Sequence, residues 1–159
     1  MSDPTRHRRK FLVVVDDTPE CRVALRFAAR RAEHTGGIVC LLHVMAPLAM
    51  QQSRALEELM REEAEADAES TLHEAASRVH AVSGLISEVI SRGGKKKETV
   101  LALLKEDRAI AVLVLASSTG REGPGPLVTA AASAAASAFP IPVTIVPGTL
   151  TEAEIDALA

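Results

Sequence analysis

The chain contains neither tryptophan nor tyrosine, and aromatic residues make up only 2% of it. Proteins that hold single-stranded nucleic acids without sequence preference stack the bases on aromatic side chains, and such platforms are scarce here. The formal net charge is −3, so the chain also lacks the positive field that attracts nucleic-acid phosphates. We therefore expect no nucleic-acid partner.

Cysteine is almost as scarce. Cys21 and Cys40 are the two cysteines, they form no Cys-x-x-Cys pair, and the five histidines follow no zinc-ligand spacing beside them. We predict that both thiols are small core residues, that His43 is a core histidine with satisfied hydrogen bonds, and that the chain has no metal site.

Apolar runs of membrane-spanning length are missing as well. Residues 1–10 are polar and basic, and no apolar stretch of signal-peptide length follows them. We therefore expect a cytoplasmic protein that does not bind membranes.

With 159 residues and 47% hydrophobic content, the chain can bury one core. We predict a basic N-terminal arm at 1–10, one α/β domain at 11–148 and a C-terminal tail at 149–159. The tail carries a capping box from Thr151 to Glu154. The tail is therefore predicted either to form a helix, which folds against the body of the chain or against a partner subunit, or to be disordered.

Four apolar runs are typical of strands buried on both faces of a sheet. They are Phe11–Val15, Ile38–Met45, Ala109–Ala116 and Val143–Val146. A fifth segment, Leu85–Ile90, alternates apolar and polar residues, which predicts a less buried strand between the second and third of these runs.

Helical patterns separate the strands. We predict Thr18 as the N-cap of the first helix, with Pro19 at its first position. A long helix over about Ser53–Val82 has a strongly acidic outer face, which is either solvated or binds a basic partner. Lys95–Lys97 stand near the start of another helix, either in solvent or opposite a phosphate or an acidic partner. An alanine-rich helix precedes the last strand.

Alternating strands and helices predict an α/β fold, a doubly wound parallel sheet with helices on both faces. Ligands of such sheets bind at the carboxyl ends of the strands. The residues predicted there are Asp16 and Asp17 after the first strand, Val44 near the exit of the second, and the loop from Ser117 to Pro126 after the fourth.

The acidic pair Asp16-Asp17 suits two kinds of ligand. It can hold Mg²⁺, as in phosphoacceptor receiver domains, or it can accept hydrogen bonds from a ribose or an adenine. A receiver domain needs an aspartate after its third strand and a lysine after its fifth, whereas this chain has Ser91–Gly93 and Pro147-Gly148. The receiver interpretation is therefore disfavoured.

The loop after the fourth strand is rich in glycine, serine and threonine and leads into a helix N-terminus, where free N–H groups favour an anion. No phosphate-loop or dinucleotide-binding glycine pattern is present. On these residues alone, the loop either binds a phosphate or simply turns the chain.

Four segments together resemble the universal stress protein family. They are Phe11–Glu20, Leu41–Val44, Val112–Ala116 with the glycine loop that follows it, and Pro140–Val143. The resemblance covers nearly the whole chain in the family's order. It implies a five-stranded sheet in the order 3-2-1-4-5 and a homodimer formed largely through the last strand. The strand residues implied at that contact are Val143, Thr144, Ile145 and Val146.

Members of the family that bind ATP carry Gly-x-x-Gly, nine residues and then Gly-Ser or Gly-Thr after the fourth strand. Aligned on Gly120, Ser117 stands at the first glycine, and a gap of one residue in the loop places Thr129-Ala130 at the final pair, so ATP binding in the family's usual way is not expected. If an adenine nucleotide binds, the resemblance implies contacts from the following residues: Asp16, Val44, Ser117, Gly120, Gly123 and Thr129.

The sequence thus predicts a dimeric regulatory module of the stress response that acts through protein contacts. We expect an unidentified protein partner, no catalytic residue and no enzyme activity. The alternative is a nucleotide-binding switch, with ATP or AMP and Mg²⁺ held by a divergent phosphate loop.

Overall fold

The computed structural model describes residues 8–48, 53–133 and 137–159. Residues 1–7 of the predicted basic arm lie outside the described residues. The elements, in chain order, are β1 (Lys10–Val14), α1 (Cys21–Thr35), β2 (Ile38–Met45), α2 (Arg54–Ser83), β3 (Glu88–Gly93), α3 (Lys96–Glu106), β4 (Ile110–Ser117), α4 (Pro126–Ala132), β5 (Val143–Pro147) and α5 (Glu152–Leu158).

The strands form a parallel sheet in the order β3-β2-β1-β4-β5. This confirms the predicted fold class and strand order. The chain winds from β1 outward to β3, then returns to the other side of β1 at β4. The carboxyl ends of β1 and β4 are therefore the topological switch point, where sheets of this kind open a crevice for ligands.

Alternating side chains of β1 divide the core into two layers. Phe11 and Val13 face the first core layer, which they form with α1 and α2. Leu12 and Val14 face the second core layer, which they form with α3 and α4. Within the described residues, no polar or charged residue is buried. The core is therefore almost entirely aliphatic, as the low aromatic content predicts.

Alanines let α1 lie close against the sheet. Ala24, Ala28, Ala29 and Ala32 are each at most 3% exposed, and all four face the first core layer. Because these side chains end at Cβ, the helix backbone approaches the strands closely without cavities.

Two local predictions were wrong. Thr18 does not cap α1, because its N–H and its hydroxyl both donate to Oδ1 of Asp16, and α1 begins at Cys21 without a side-chain cap. The third strand spans Glu88–Gly93 instead of Leu85–Ile90. The Leu85 N–H donates to the Ser83 hydroxyl, so this residue belongs to the turn that ends α2.

The C-terminal tail forms α5 and packs on α1. Its capping box is confirmed, since the Thr151 hydroxyl accepts from the Glu154 N–H at 3.2 Å and Oε1 of Glu154 accepts from the Thr151 N–H at 3.3 Å. Ile155 is 1% exposed. Of the predicted alternatives, the structure shows the helix folded against the body.

Charged groups tie α5 to α1 as well. Arg26 donates two hydrogen bonds to the Asp156 carboxylate, at 2.9 and 2.7 Å, and Arg30 donates a third at 3.0 Å. The bonds from these guanidinium groups lower the pKa of Asp156 to about 2.

Within the described residues, no helix is both long enough and apolar enough to cross a lipid bilayer.

We expect Ile155→Ala to lower the free energy of unfolding by about 2–4 kcal/mol, because it removes a buried side chain and leaves a cavity under α5. Urea denaturation measures the change. The matched control is Leu158→Ala in the same helix, where the side chain is 64% exposed and the change should stay within about 0.5 kcal/mol. Equal effects of the two substitutions would contradict the docked helix.

The Arg26–Asp156 contact predicts a pH dependence. Because the carboxyl pKa is lowered from 3.8 to about 2 in the folded state, its contribution to stability is fully present above about pH 4 and is lost as the pH falls through about 2. The wild type should therefore exceed Asp156→Asn in urea midpoint near neutral pH, and the gap should close over this acid window. A gap that does not change with pH would contradict the assignment.

Candidate ligand-binding cleft

A cleft opens at the switch point between β1, α1, α3, β4 and α4. Its walls are mostly apolar, and its polar groups come from the exit of β1 and the start of α3. The lining residues are Val14, Asp16, Thr18, Glu20, Cys21, Ala24, Lys96, Val114, Leu115, Ala116, Pro124, Gly125, Pro126, Leu127 and Val128. The cleft encloses about 180 Å³, less than the roughly 300–1,000 Å³ of most small-molecule pockets. A larger ligand must extend out of its mouth.

Asp16 is the acidic group at the base of this cleft. It follows β1, and its Oδ1 accepts hydrogen bonds from the N–H and the hydroxyl of Thr18. These bonds fix the carboxylate in place. Its Oδ2 lies 3.8 Å from Nζ of Lys96, and the two side chains are 31% and 38% exposed. Asp16 can therefore accept a hydrogen bond from a ligand while it stays paired.

Lys96 is the basic group of the cleft. It is the first residue of α3, whose start follows β3 at the carboxyl edge of the sheet. The sequence placed Lys95–Lys97 near a helix start, either in solvent or opposite a phosphate or an acidic partner, and did not assign any of them to the cleft. Periodicity cannot show which of three neighbouring lysines points into a cleft, because that depends on how α3 is rotated against the sheet.

Cys21 lines the cleft as a protonated thiol. Burial raises its pKa to about 11, so it is a thiol at neutral pH and a poor nucleophile. Burial also raises the pKa of Cys40 to about 11. Both cysteines are free and buried, which confirms their prediction as core residues.

The loop between β4 and α4 uses its own amide groups. The Ser118 N–H donates to the Pro124 carbonyl at 3.2 Å, the Gly120 N–H to the Ser118 hydroxyl at 3.1 Å, and the Gly123 N–H to the Gly120 carbonyl at 3.4 Å. Gly123 and Gly125 have φ values of 90° and 103°, which favour glycine. The glycines therefore shape a closed turn, and these three donors are occupied within it.

Prolines border the cleft where a phosphate-binding loop would offer donors. Pro124 and Pro126 both line it, and proline has no backbone N–H. Thr129 stands at the glycine of the family's final Gly-Ser or Gly-Thr pair. Its hydroxyl donates to the Gly125 carbonyl at 2.8 Å. At Pro124 and Pro126 the cleft thus presents ring carbons without an N–H donor.

The structure brings only some of the predicted site residues together. Asp16 lines the cleft with the end of the β4–α4 loop, whereas Ser117, Gly120, Gly123 and Thr129 lie in or beside the loop without lining it. Val44 packs against the second core layer. The glycine loop is therefore next to the cleft, and Thr18, Glu20 and Lys96 are polar lining residues that the sequence did not single out as part of the nucleotide site.

His43 lies in β2 with Nδ1 at 2.9 Å from the Val15 carbonyl. It is satisfied by the backbone, as predicted. Over residues 8–48, 53–133 and 137–159, no group of three or more histidine, cysteine, aspartate or glutamate side chains is arranged to hold a metal ion.

Residues 7–147 match the model of the universal stress protein family. No curated protein matches the chain. Among solved structures, universal stress protein UspA from Lactobacillus plantarum is 19% identical, with 89% of this chain and 99% of that one covered and a TM-score of 0.72.

Two other similar structures contain nucleotides. A universal stress protein family protein from Arabidopsis thaliana with AMP bound is 20% identical, covers 87% of this chain and 91% of its own, and has a TM-score of 0.61. The universal stress protein from Archaeoglobus fulgidus in complex with dAMP is 16% identical, with 88% and 98% covered and a TM-score of 0.56. At these identities the likeness establishes the fold.

Proposed function

Because this chain belongs to the universal stress protein family, we propose that it is a regulatory module that binds the nucleoside and first phosphate of an adenine nucleotide and does not wrap a triphosphate. The observation that carries the proposal is the cleft at the switch point, where Asp16 and Lys96 stand side by side at the edge of apolar walls. The AMP and dAMP complexes of relatives with this fold support the choice of ligand.

The nucleoside fits the chemistry of the inner cleft. Val14, Val114 and Leu127 line it, and flat apolar rings are favoured by such walls. The Asp16 carboxylate, already held by Thr18, can accept a hydrogen bond from a ribose hydroxyl. Since the cleft is small, the rest of the nucleotide lies at its mouth.

The first phosphate is proposed to meet Lys96. Its ammonium group lies beside Asp16 and is partly exposed, so it can shift toward an anion at the mouth of the cleft. Beyond that position, a second and third phosphate would face Pro124 and Pro126, which lack an N–H, and a loop in which the amides of Ser118, Gly120 and Gly123 are bonded internally. This is the physical reason for the proposed preference for a monophosphate.

We further propose that the bound nucleotide is not turned over. The Cys21 thiol is protonated, since burial raises its pKa to about 11, and Asp16 already accepts two hydrogen bonds. These conditions favour binding over the activation of a nucleophile. In this proposal the module acts in the cytoplasm, in the stress response, and its output passes through protein contacts.

The proposed module is a homodimer joined through β5. This strand ends the sheet at one side, and its outer edge has no partner strand within the described residues. Ile145 is 38% exposed, which leaves an apolar side chain on the strand. Pairing with a second copy would satisfy the open backbone groups of this edge.

The first test is a thermal shift with adenosine, AMP and ATP, because a ligand that binds only the folded state raises the midpoint. We expect AMP to raise it and ATP to raise it no further. Asp16→Ala should abolish the shift, whereas Asp17→Ala, an exposed neighbour outside the cleft, should keep it. Lys96→Ala should weaken AMP about fivefold and leave adenosine nearly unchanged, because only the phosphate contact is lost.

No shift with any of these ligands would contradict the nucleotide proposal, and a much larger shift with ATP than with AMP would contradict the preference for a monophosphate. A triple variant probes the loop directly. Ser117→Gly, Thr129→Gly and Ala130→Ser together restore the residue types of the pattern in ATP-binding relatives, with eight residues instead of nine before the final pair. This variant should gain affinity for ATP relative to AMP if the loop is what limits the phosphates.

The dimer is tested by light scattering after size exclusion. Ile145→Lys places a charge on the proposed contact and should convert the dimer to a monomer. Ile86→Lys is the matched control, because Ile86 is 87% exposed and lies two residues before β3, the strand at the opposite end of the sheet. A monomeric wild type, or a dimer that survives Ile145→Lys, would contradict contact through β5.

A further inference from the structure

The helix α2 is longer than the sheet needs. It runs from Arg54 to Ser83, a length of about 45 Å, and its buried residues all lie from Ala68 onward: Ala68, Leu72, Ala75 and Val79. The part before Ala68 buries none of its residues completely. Leu56 and Leu59 there are 44% and 51% exposed.

The part of α2 from Ala68 onward covers β3 incompletely. The core layer beneath it contains residues of β1, β2, β4 and β5 but none of β3. Val89, the second residue of β3, is 54% exposed. A strand of a parallel sheet is normally covered on both faces, so one face of β3 is left open beside α2.

Two adjoining clefts run along this gap and share Met45 and Glu65. We call them together the β3 trough. Its floor includes Met45 and Val89, and its wall is the side of α2 from Glu57 to Ala76. At about 1.5 Å per residue, that wall is about 28 Å long, the length of a helix of about 19 residues.

The trough has a definite chemistry. Glu65 and Glu69 line it, and within the described residues neither forms an ion pair or a side-chain hydrogen bond. The Ser87 hydroxyl, also in the trough, is buried without a hydrogen-bond partner among the described residues. An occupant must therefore bring apolar surface for Val89 and positive charge for the carboxylates.

A second copy of the chain is a poor match for this surface. The stretch 54–67 of α2 carries Glu57, Glu58, Glu62, Glu63, Glu65 and Asp67 against Arg54 and Arg61, and Arg61 is paired with Glu57 at 3.7 Å. Two such helices side by side would repel each other. Charge complementarity points instead to a basic partner.

From these features we propose that the β3 trough binds an amphipathic helix of another protein, with its apolar face on Val89 and its lysine or arginine side chains against Glu65 and Glu69. The bound helix would lie beside α2 and complete the covering of the sheet, as helices do on both faces of α/β folds. The trough is separated by β2 from the cleft that holds Asp16. The inference goes beyond nucleotide binding and does not depend on it.

The test uses a labelled synthetic peptide of about 18 residues, with leucine on one helical face and lysine on the flanks, titrated with the full chain by fluorescence anisotropy. We expect it to bind, while a peptide with glutamate in place of lysine does not. A scrambled peptide of the same composition, which has no apolar face, should bind at least about tenfold more weakly.

Matched variants test whether the peptide binds in the β3 trough. Glu65→Lys with Glu69→Lys should weaken the peptide at least about tenfold, and Val89→Asp should do the same by placing a charge on the floor. The control is Glu63→Lys with Asp67→Lys, two exposed positions on the opposite side of the same helix, with the same change of charge and the same spacing. It should change affinity less than about threefold.

Four outcomes would overturn the proposal. They are no binding of the lysine peptide, equal binding of the scrambled peptide, equal weakening by the control pair, and self-association of the free protein that Val89→Asp removes, which would make the occupant a second copy. Asp16→Ala should leave peptide binding unchanged, so failure of the nucleotide proposal and failure of this one are distinguishable. Circular dichroism of each variant establishes that it is folded.

Discussion

Burial of β1 on both faces is the constraint on which the rest of the molecule depends. Leu12 and Val13 are completely buried, one in each core layer, and β1 pairs with β2 on one side and β4 on the other. A strand held on four sides has little freedom to shift, because a slip by one residue would exchange the side chains of the two layers. The residues that follow it, above all Asp16, inherit that rigidity.

The candidate cleft is formed by the rigid end of β1 on one side and by the loop between β4 and α4 on the other. Asp16 is set by the strand and by Thr18, while the opposite wall is set by the loop that ends at Pro126. The loop is stabilised by its own hydrogen bonds and by glycines with positive φ, so its shape does not require a ligand. A preformed turn of this kind lowers the entropic cost of binding a small group, and it leaves the amides of Ser118, Gly120 and Gly123 unavailable to a ligand.

Much of the fold could be predicted from the sequence because the strands are nearly continuous apolar runs. Ile38–Met45 was predicted to the residue, and the parallel arrangement followed from the alternation with helices. The start of β3 was missed because the apolar residues Leu85 and Ile86 were predicted to belong to the strand. In the structure they belong to the connection between Gly84, which ends α2, and Glu88, where β3 begins. The place of Asp16 at a strand end could be predicted because the apolar run of the first strand ends directly before it. The contact with Lys96 was not, since it depends on the rotation of a helix, and neither was the open face of β3, which depends on where α2 lies across the sheet.

The two ends of the sheet are chemically different, and this has a consequence for the assembled protein. If β5 joins two copies, each β3 lies at an outer end of a sheet of ten strands, about 40 Å from its counterpart at the usual spacing between strands. The dimer would then carry two identical sites that face apart. A partner with one copy of the recognised segment would bind each site independently, whereas a partner with two copies on a linker of matching span would gain avidity. The separation between the sites would thus select partners by the spacing of their segments as well as by their chemistry.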